Sequence, residues 1–132
     1  MTEDPIQIGF NGGVDAMRAI VEHLHAHAVA PHVEVALTEY QRRDFSMVDV
    51  SAAGTSKGSG LAAVASWYGV AQADMMAVGD NHNDRDMLAW AGTGVVMGNA
   101  EPELHVAGLH VTGTNDEAGL VQALDRFVPA QK

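Results

Sequence analysis

Asp80 and Asp84 lie four residues apart in Val78-Gly79-Asp80-Asn81-His82-Asn83-Asp84, with the side-chain amides of Asn81 and Asn83 between them. The segment ends an apolar run, Met75 to Val78, at a Gly-Asp pair, and both residue types favour turns over sheet. A strand breaking here puts both carboxylates at its C-terminal end, where open α/β sheets bind ligands. Asn83 or Asp84 is then expected to cap a helix from Arg85 to Ala91, which Gly92 closes. Clustered oxygen donors in that position suit a hard cation such as Mg²⁺, which takes one or two carboxylates together with water and substrate phosphate. A calcium loop is excluded. Counted from Asp80, its third, sixth and twelfth positions hold His82, Arg85 and Ala91, where Asp or Asn, Gly and Glu are required. In isolation, an Asp-x-x-x-Asp pair is more often a polar turn that only caps helices, so its meaning depends on the rest of the chain.

A second candidate lies upstream. Thr55-Ser56-Lys57-Gly58-Ser59-Gly60 sets one lysine in a glycine-rich turn at a helix start. An ammonium beside free backbone N–H groups makes an anion site. Gly58-x-Gly60-x-x-Ala63 also fits a loose dinucleotide fingerprint, with Asp80 about twenty positions on. Spacing argues against that reading, because the preceding strand ends near Val50, too far from Gly58 for a tight first turn. Other chemistry-bearing residues have plainer readings. His23 and His27 share a helix face one turn apart while His25 points away, and without a third ligand the trio reads as solvated. His82 either lines the mouth of the site or idles in the turn, and Arg42-Arg43 reads as a solvated charged hairpin. Met75, Met76, Met87 and Met97 read as packing residues, and Trp67, Tyr68 and Trp90 as anchors of helices to the sheet.

The elements that must position these side chains are legible as periodicity. Ile6 to Phe10 alternates like a half-buried strand, followed by a turn at Asn11-Gly12-Gly13. Val14, Met17, Ile20, Val21 and Leu24 recur at helical spacing through about His27, with Pro31 as the stop. Val33 to Leu37 and Phe45 to Val50 read as an antiparallel pair, so residues 1–50 form β-α-β-β. After a small-residue loop, Ser51 to Ser56, come a helix from about Gly58 to Tyr68, the strand Met75 to Val78, the acidic turn with its helix, and the strand Gly94 to Gly98. A helix from Pro102 to about Ala107, a short strand at His110 to Thr112 and a last helix to Phe127, capped by Asn115 or Asp116, complete the chain. Alternating strands and helices imply parallel βαβ units, with a boundary near residue 51.

Bulk composition narrows the function classes. The 132 residues have the length of one domain, with 7 Lys and Arg against 17 Asp and Glu and a net charge of −10. That balance disfavours a nucleic-acid surface, which needs clustered cations. There is no cysteine, so disulfides and thiolate metal sites are impossible, and a reducing cytoplasm is the expected setting. Met1 to Pro5 is acidic and polar rather than a secretory signal, and no apolar run approaches the roughly 20 residues of a membrane span.

Taken in order, Lys57-Gly58 opening a helix, Val78 to Asp84 with Asp86-Met87-Leu88, Ala91-Gly92, Val96-Met97-Gly98-Asn99-Ala100 and Asp116-Glu117-Ala118-Gly119-Leu120 resemble haloacid dehalogenase-like (HAD) hydrolases of the Cof type. The resemblance runs from Ser51 to Leu124, and residues 1–50 resemble the closing part of that family's α/β cap. It implies an α/β fold, with a partial cap at 1–50 and the C-terminal half of a Rossmann-like core at 51–132. It implies a Mg²⁺-dependent phosphatase of small phosphorylated metabolites, often sugar phosphates. Carried over by position, Lys57 is the catalytic lysine that steadies phosphate and nucleophile, Asp80 binds Mg²⁺ directly, Asp84 holds metal-bound water or Lys57, and Asn83 contacts phosphate.

The resemblance also exposes a gap. The family's nucleophile is the first Asp of Asp-x-Asp-Gly-Thr at the end of a core strand. The nearest stretch here, Asp49-Val50-Ser51-Ala52-Ala53-Gly54-Thr55, lacks the second Asp, and no apolar strand leads into Asp4, Asp15 or Asp44. The family's upstream phosphate-binding Ser or Thr is missing as well. The chain is therefore expected to be the back portion of such an enzyme, inactive alone and weak for metal. The alternative is a degenerate homologue acting as a binding or assembly module. In the family the 75–78 strand pairs with the nucleophile strand, so its open edge is expected to be covered by a homodimer or a strand exchange.

Overall fold

The computed structural model describes residues 5–128, so Asp4 and the acidic N-terminal residues lie outside the described part. The chain divides into two compact units between Thr55 and Ser56.

The first unit contains β1 (Gln7–Gly12), α1 (Val14–Ala26), β2 (Val33–Tyr40) and β3 (Phe45–Ala52). Its sheet has the order β1-β3-β2 and is antiparallel throughout, with β2 and β3 forming the expected hairpin. Residues opposite one another across strands share a face. Val48 faces Phe10 and Leu37, and Val50 faces Ile8 and Val35, which assembles one apolar side. Met17 of α1 is buried against Val48 and Val50, with Ile20, Val21 and Leu24 beside it. The expected turn at Asn11-Gly12 is instead strand, because Met47 and Ser46 of β3 remain available as partners. Likewise Ser51 and Ala52 stay in β3 opposite Glu34 and Val33, which delays the start of the loop.

Two local contacts set the pose of α1. Gly13 has no side chain to cap the helix, and Asp44 does so from the hairpin, its Oδ1 accepting from the Val14 N–H at 3.0 Å. Asp44 sits in the left-handed region (φ 43°), which Asp tolerates. Arg18 forks onto Glu39 at 2.7 and 2.9 Å, and that hydrogen bonding holds the Glu39 carboxyl below its usual range. The helix ends at Ala26, short of the expected stop at Pro31, which opens a separate 3₁₀ turn at Ala30–His32.

The second unit contains α2 (Lys57–Tyr68), β4 (Met76–Gly79), α3 (Arg85–Trp90), β5 (Thr93–Val96), β6 (His110–Val111) and α4 (Gly119–Phe127). Its sheet, β4-β5-β6, is wholly parallel, as the strand–helix alternation requires. Ala77, Leu88, Val96 and Leu104 form the buried core, with Leu61, Met87 and Leu109 packed around them. Helix α2 starts with a reciprocal Ser56–Ser59 capping box and stops at Gly69 in the left-handed region (φ 66°).

Two expectations fail in this unit, besides the cap of the last helix, which comes from neither Asn115 nor Asp116 because Thr114 caps the 3₁₀ turn that leads into it. Trp67 and Tyr68 do not anchor α2, being 87% and 77% exposed and stacked on one another. The helix buries Gly58 and Ala65 and packs Leu61 on the core, and the small residues let it approach α3 closely. Pro102 opens only a single 3₁₀ turn, Pro102–Leu104, rather than a helix to Ala107. Burial of Leu104 pins that turn, and Gly108 at φ 93° then swings the chain toward β6. Among the described residues, no helix is long and apolar enough to cross a membrane.

Leu88 is 1% exposed at the centre of this core. Replacing it by alanine is expected to lower the unfolding free energy by about 2–5 kcal/mol, read from urea denaturation followed by circular dichroism.

Candidate active site

The site is built where β4 ends. Gly79 is the last strand residue, and a Cβ there would lie 2.5 Å from the Asp84 Cβ, so only glycine lets the acidic turn fold back over the strand. Asn81 starts the 3₁₀ turn His82–Asp84, its Oδ1 accepting from the His82 N–H at 2.7 Å. Asp84 closes the turn from the other side: its Oδ2 accepts from the N–H groups of Asp80 (3.1 Å) and Asn81 (3.0 Å). Its Oδ1 accepts from the Lys57 ammonium. The expected cap is thereby corrected. Neither Asn83 nor Asp84 caps α3 with its side chain, because α3 continues directly from the 3₁₀ turn that Asn81 caps.

Asn83 instead faces Lys57, its Oδ1 accepting from Nζ at 3.0 Å. An ammonium has three N–H donors. Asn83 and Asp84 take two, and the half-exposed side chain leaves the third free. Lys57, Asp80 and Asp84 line one pocket of about 610 Å³, together with Val78, Met97 and Val121. That wall is apolar apart from its charged end. His82 is exposed and does not line the pocket, which favours its idle reading.

The start of α2 departs from expectation in a way that changes the chemistry. Its backbone N–H groups were expected to face an anion. They are already spent: Gly58 donates to Asp86 Oδ2 (3.0 Å), Ser59 to the Ser56 hydroxyl (3.1 Å) and Gly60 to the Ser56 carbonyl (2.9 Å). Any anion binding at this end therefore falls mainly to the Lys57 ammonium. Asp86 lashes α2 to α3 one residue beyond Lys57. Partial burial pushes its carboxyl up, but hydrogen bonds from the Ser56 hydroxyl and the Gly58 and Met87 N–H groups outweigh this and leave its pKa lowered.

Asp80 and Asp84, four residues apart, have opposite environments. Asp84 is 4% exposed with both oxygens committed, whereas Asp80 is exposed and accepts one side-chain bond, from Asn99 Nδ2 at 3.0 Å to its Oδ2. The Asn99 Oδ1 accepts in turn from the Asn115 N–H at 2.9 Å. For a hard cation Asp80 offers an uncommitted Oδ1, whereas both oxygens of Asp84 already accept hydrogen bonds. Among the described residues, no three His, Cys, Asp or Glu side chains gather as a metal cage. The pair His23 and His27 is also unsuited, His27 lying just past the end of α1. His27 Nδ1 accepts from the Val29 N–H at 3.2 Å, which leaves the ring proton on Nε2 where a metal would bind.

Asn99, Asp86 and Asn115 were not singled out as site residues from sequence, since each acts through a contact made across the fold.

The family model for haloacid dehalogenase-like hydrolase matches residues 3–124. The chain belongs to the haloacid dehalogenase-like hydrolases. Among relatives of this HAD chain, the 5-amino-6-(5-phospho-D-ribitylamino)uracil phosphatase YitU of Bacillus subtilis is 29% identical over 116 residues, 86% of this chain and 40% of its own length. A solved HAD phosphatase from Bacteroides thetaiotaomicron is 34% identical with a TM-score of 0.71, over 95% of this chain and 42% of that one. A solved HAD subclass IIB sugar phosphatase is 26% identical with a TM-score of 0.73, over 95% and 44%. The chain spans between 27% and 40% of the length of the curated relatives it matches.

Asp86 gives the site a testable pH signature. Its pKa is depressed in the folded state, so its stabilising contribution is present above the unfolded value of about 3.9 and is lost as pH falls through the lower folded value. The stability gap between the unaltered chain and Asp86→Asn, from urea unfolding at a series of pH values, is expected to shrink below about pH 4.

Proposed function

We propose that this chain supplies the phosphate-steadying and cation-holding half of the active site of a cytoplasmic HAD phosphatase acting on small phosphorylated metabolites, sugar phosphates among them. On this reading residues 1–50 are part of the cap and residues 51–132 the C-terminal half of the core. One observation carries the proposal: the Lys57 ammonium, held by Asn83 and Asp84, keeps one N–H unspent in a pocket that Asp80 also lines. The named activities of the HAD relatives, a phosphoribityl compound in one and a sugar phosphate in another, support the substrate class.

In this mechanism the buried Asp84 carboxylate does not ligate metal. It orients Lys57, whose third N–H meets a phosphoryl oxygen and offsets the charge that grows there during transfer. Asn83 fixes the ammonium from the other side and borders the same phosphate. Asp80 would hold the cation through its uncommitted oxygen. Mg²⁺, when bound, supplies further neutralisation of the phosphoryl group. The attacking carboxylate comes from residues outside this sequence, which has no Asp-x-Asp-Gly-Thr segment.

The reading is tested by titrating inorganic phosphate with Mg²⁺ into ¹⁵N-labelled protein. Amide shifts are expected at Lys57 and Asp80 to Asp84, and Lys57→Met is expected to remove them. With p-nitrophenyl phosphate the chain alone is expected to show only background hydrolysis. Turnover that Lys57→Met abolishes would contradict the missing-nucleophile account. Absence of any phosphate response would favour a non-catalytic homologue.

We further propose a homodimer or strand-exchanged assembly over the outer edge of β4. Among the described residues that edge has no strand partner, and Leu120, Val121 and Leu124 of α4 stand half-exposed. Sedimentation equilibrium is expected to give a dimer that Val121→Asp weakens. A wild-type monomer at every concentration would overturn it.

A further inference from the structure

We infer that Asn99 is a positioning residue for Asp80, holding its carboxylate in the pose that presents one oxygen to a cation. The inference deepens the proposed function and rests on the reading of Asp80 as the cation ligand.

The two ends of the Asn99 amide are both assigned by their partners. The Asn115 N–H can only donate, so it fixes Oδ1 at 2.9 Å. The Asp80 carboxylate can only accept, so it fixes Nδ2 at 3.0 Å. No rotation of the amide satisfies both partners the other way round. Asn115 is in turn the first residue of the 3₁₀ turn Asn115–Glu117. That turn is clamped by Glu117 Oε2, which accepts from the Thr114 N–H (3.0 Å) and hydroxyl (2.9 Å). A relay therefore runs from a rigid turn through one neutral amide to an exposed carboxylate. Lys57 does not compensate, since its bonded partners are Asn83 and Asp84. Without Asn99, the Asp80 side chain would be free to rotate in solvent. With it, Oδ2 is held and Oδ1 is presented, the role that a hydrogen-bonded outer partner plays for a ligating carboxylate. A carboxylate at position 99 would accept from Asn115 equally well but would repel Asp80, so the donor end is what the site uses.

The test titrates Mn²⁺ alone, as a paramagnetic cation that favours oxygen donors, into ¹⁵N-labelled chain and its Asn99→Ala, Asn99→Leu and Asp80→Asn variants. Line broadening and melting temperature are both recorded. Broadening centred on Asp80 is expected in the unaltered chain and lost in Asp80→Asn. Both Asn99 variants are expected to melt close to the unaltered chain yet bind Mn²⁺ about 10-fold more weakly or worse. Unchanged Mn²⁺ affinity in both, with Asp80→Asn silent, would overturn the role of Asn99 and leave the cation reading intact. Weaker binding accompanied by loss of the dispersed α3 amide signals would reduce Asn99 to a structural prop and overturn it too. If Asp80→Asn binds as well as the unaltered chain, or the latter does not bind, the cation reading fails and the inference falls with it.

Discussion

The site depends on the buried carboxylate of Asp84. Its two oxygens receive the Lys57 ammonium and the N–H groups of Asp80 and Asn81. A carboxylate taken out of water costs several kcal/mol unless its lone pairs are met, and here each oxygen is met by a donor. The consequence is geometric. One side chain fixes the path of the turn that leaves β4, the position of the lysine that opens α2, and the direction in which Asp80 emerges. Gly79 permits this by having no Cβ where Asp84 must pass.

That arrangement divides the labour between two residues of the same type. Asp84, sealed by its donors, acts as an orienting anion. Asp80, exposed and steadied by Asn99, keeps coordinating capacity. Asp86 adds a third carboxylate with a mechanical task, taking up the Gly58 N–H at the α2 terminus. Three acidic residues within seven positions thus take three roles, and what separates them is which donors the fold brings to each.

Much of this was legible in the sequence. Alternation at β1, helical spacing in α1, and elsewhere short apolar runs bounded by turn residues located the strands and the long helices. A contact between Lys57 and Asp84 was one of two roles that the family resemblance offered for Asp84, since 27 residues separate them, and the Lys57–Asn83 bond was not foreseen. What stayed hidden was decided by distant partners. Asn11 and Gly12 looked like turn residues until β3 paired with them, and Trp67 looked like an anchor although smaller residues on α2 had taken the packing face. The caps moved because Asn81 Oδ1 reaches the His82 N–H while the Asn81 N–H meets Asp84, and because Thr114 pairs with the Glu117 carboxylate. Asn99 lies in one of the motifs that carry the resemblance, but its purpose shows only when Asp80 and Asn115 converge on it.

The account's central claim is that Asp84 holds Lys57 so that one N–H is left for a phosphoryl oxygen. A crystal structure of the protein with inorganic phosphate and Mg²⁺ tests it most directly. The account predicts a phosphate oxygen roughly 2.7–2.9 Å from Lys57 Nζ with the Asp84 contact intact. A lysine swung away from Asp84, or a phosphate seated elsewhere with that N–H unused, would contradict it.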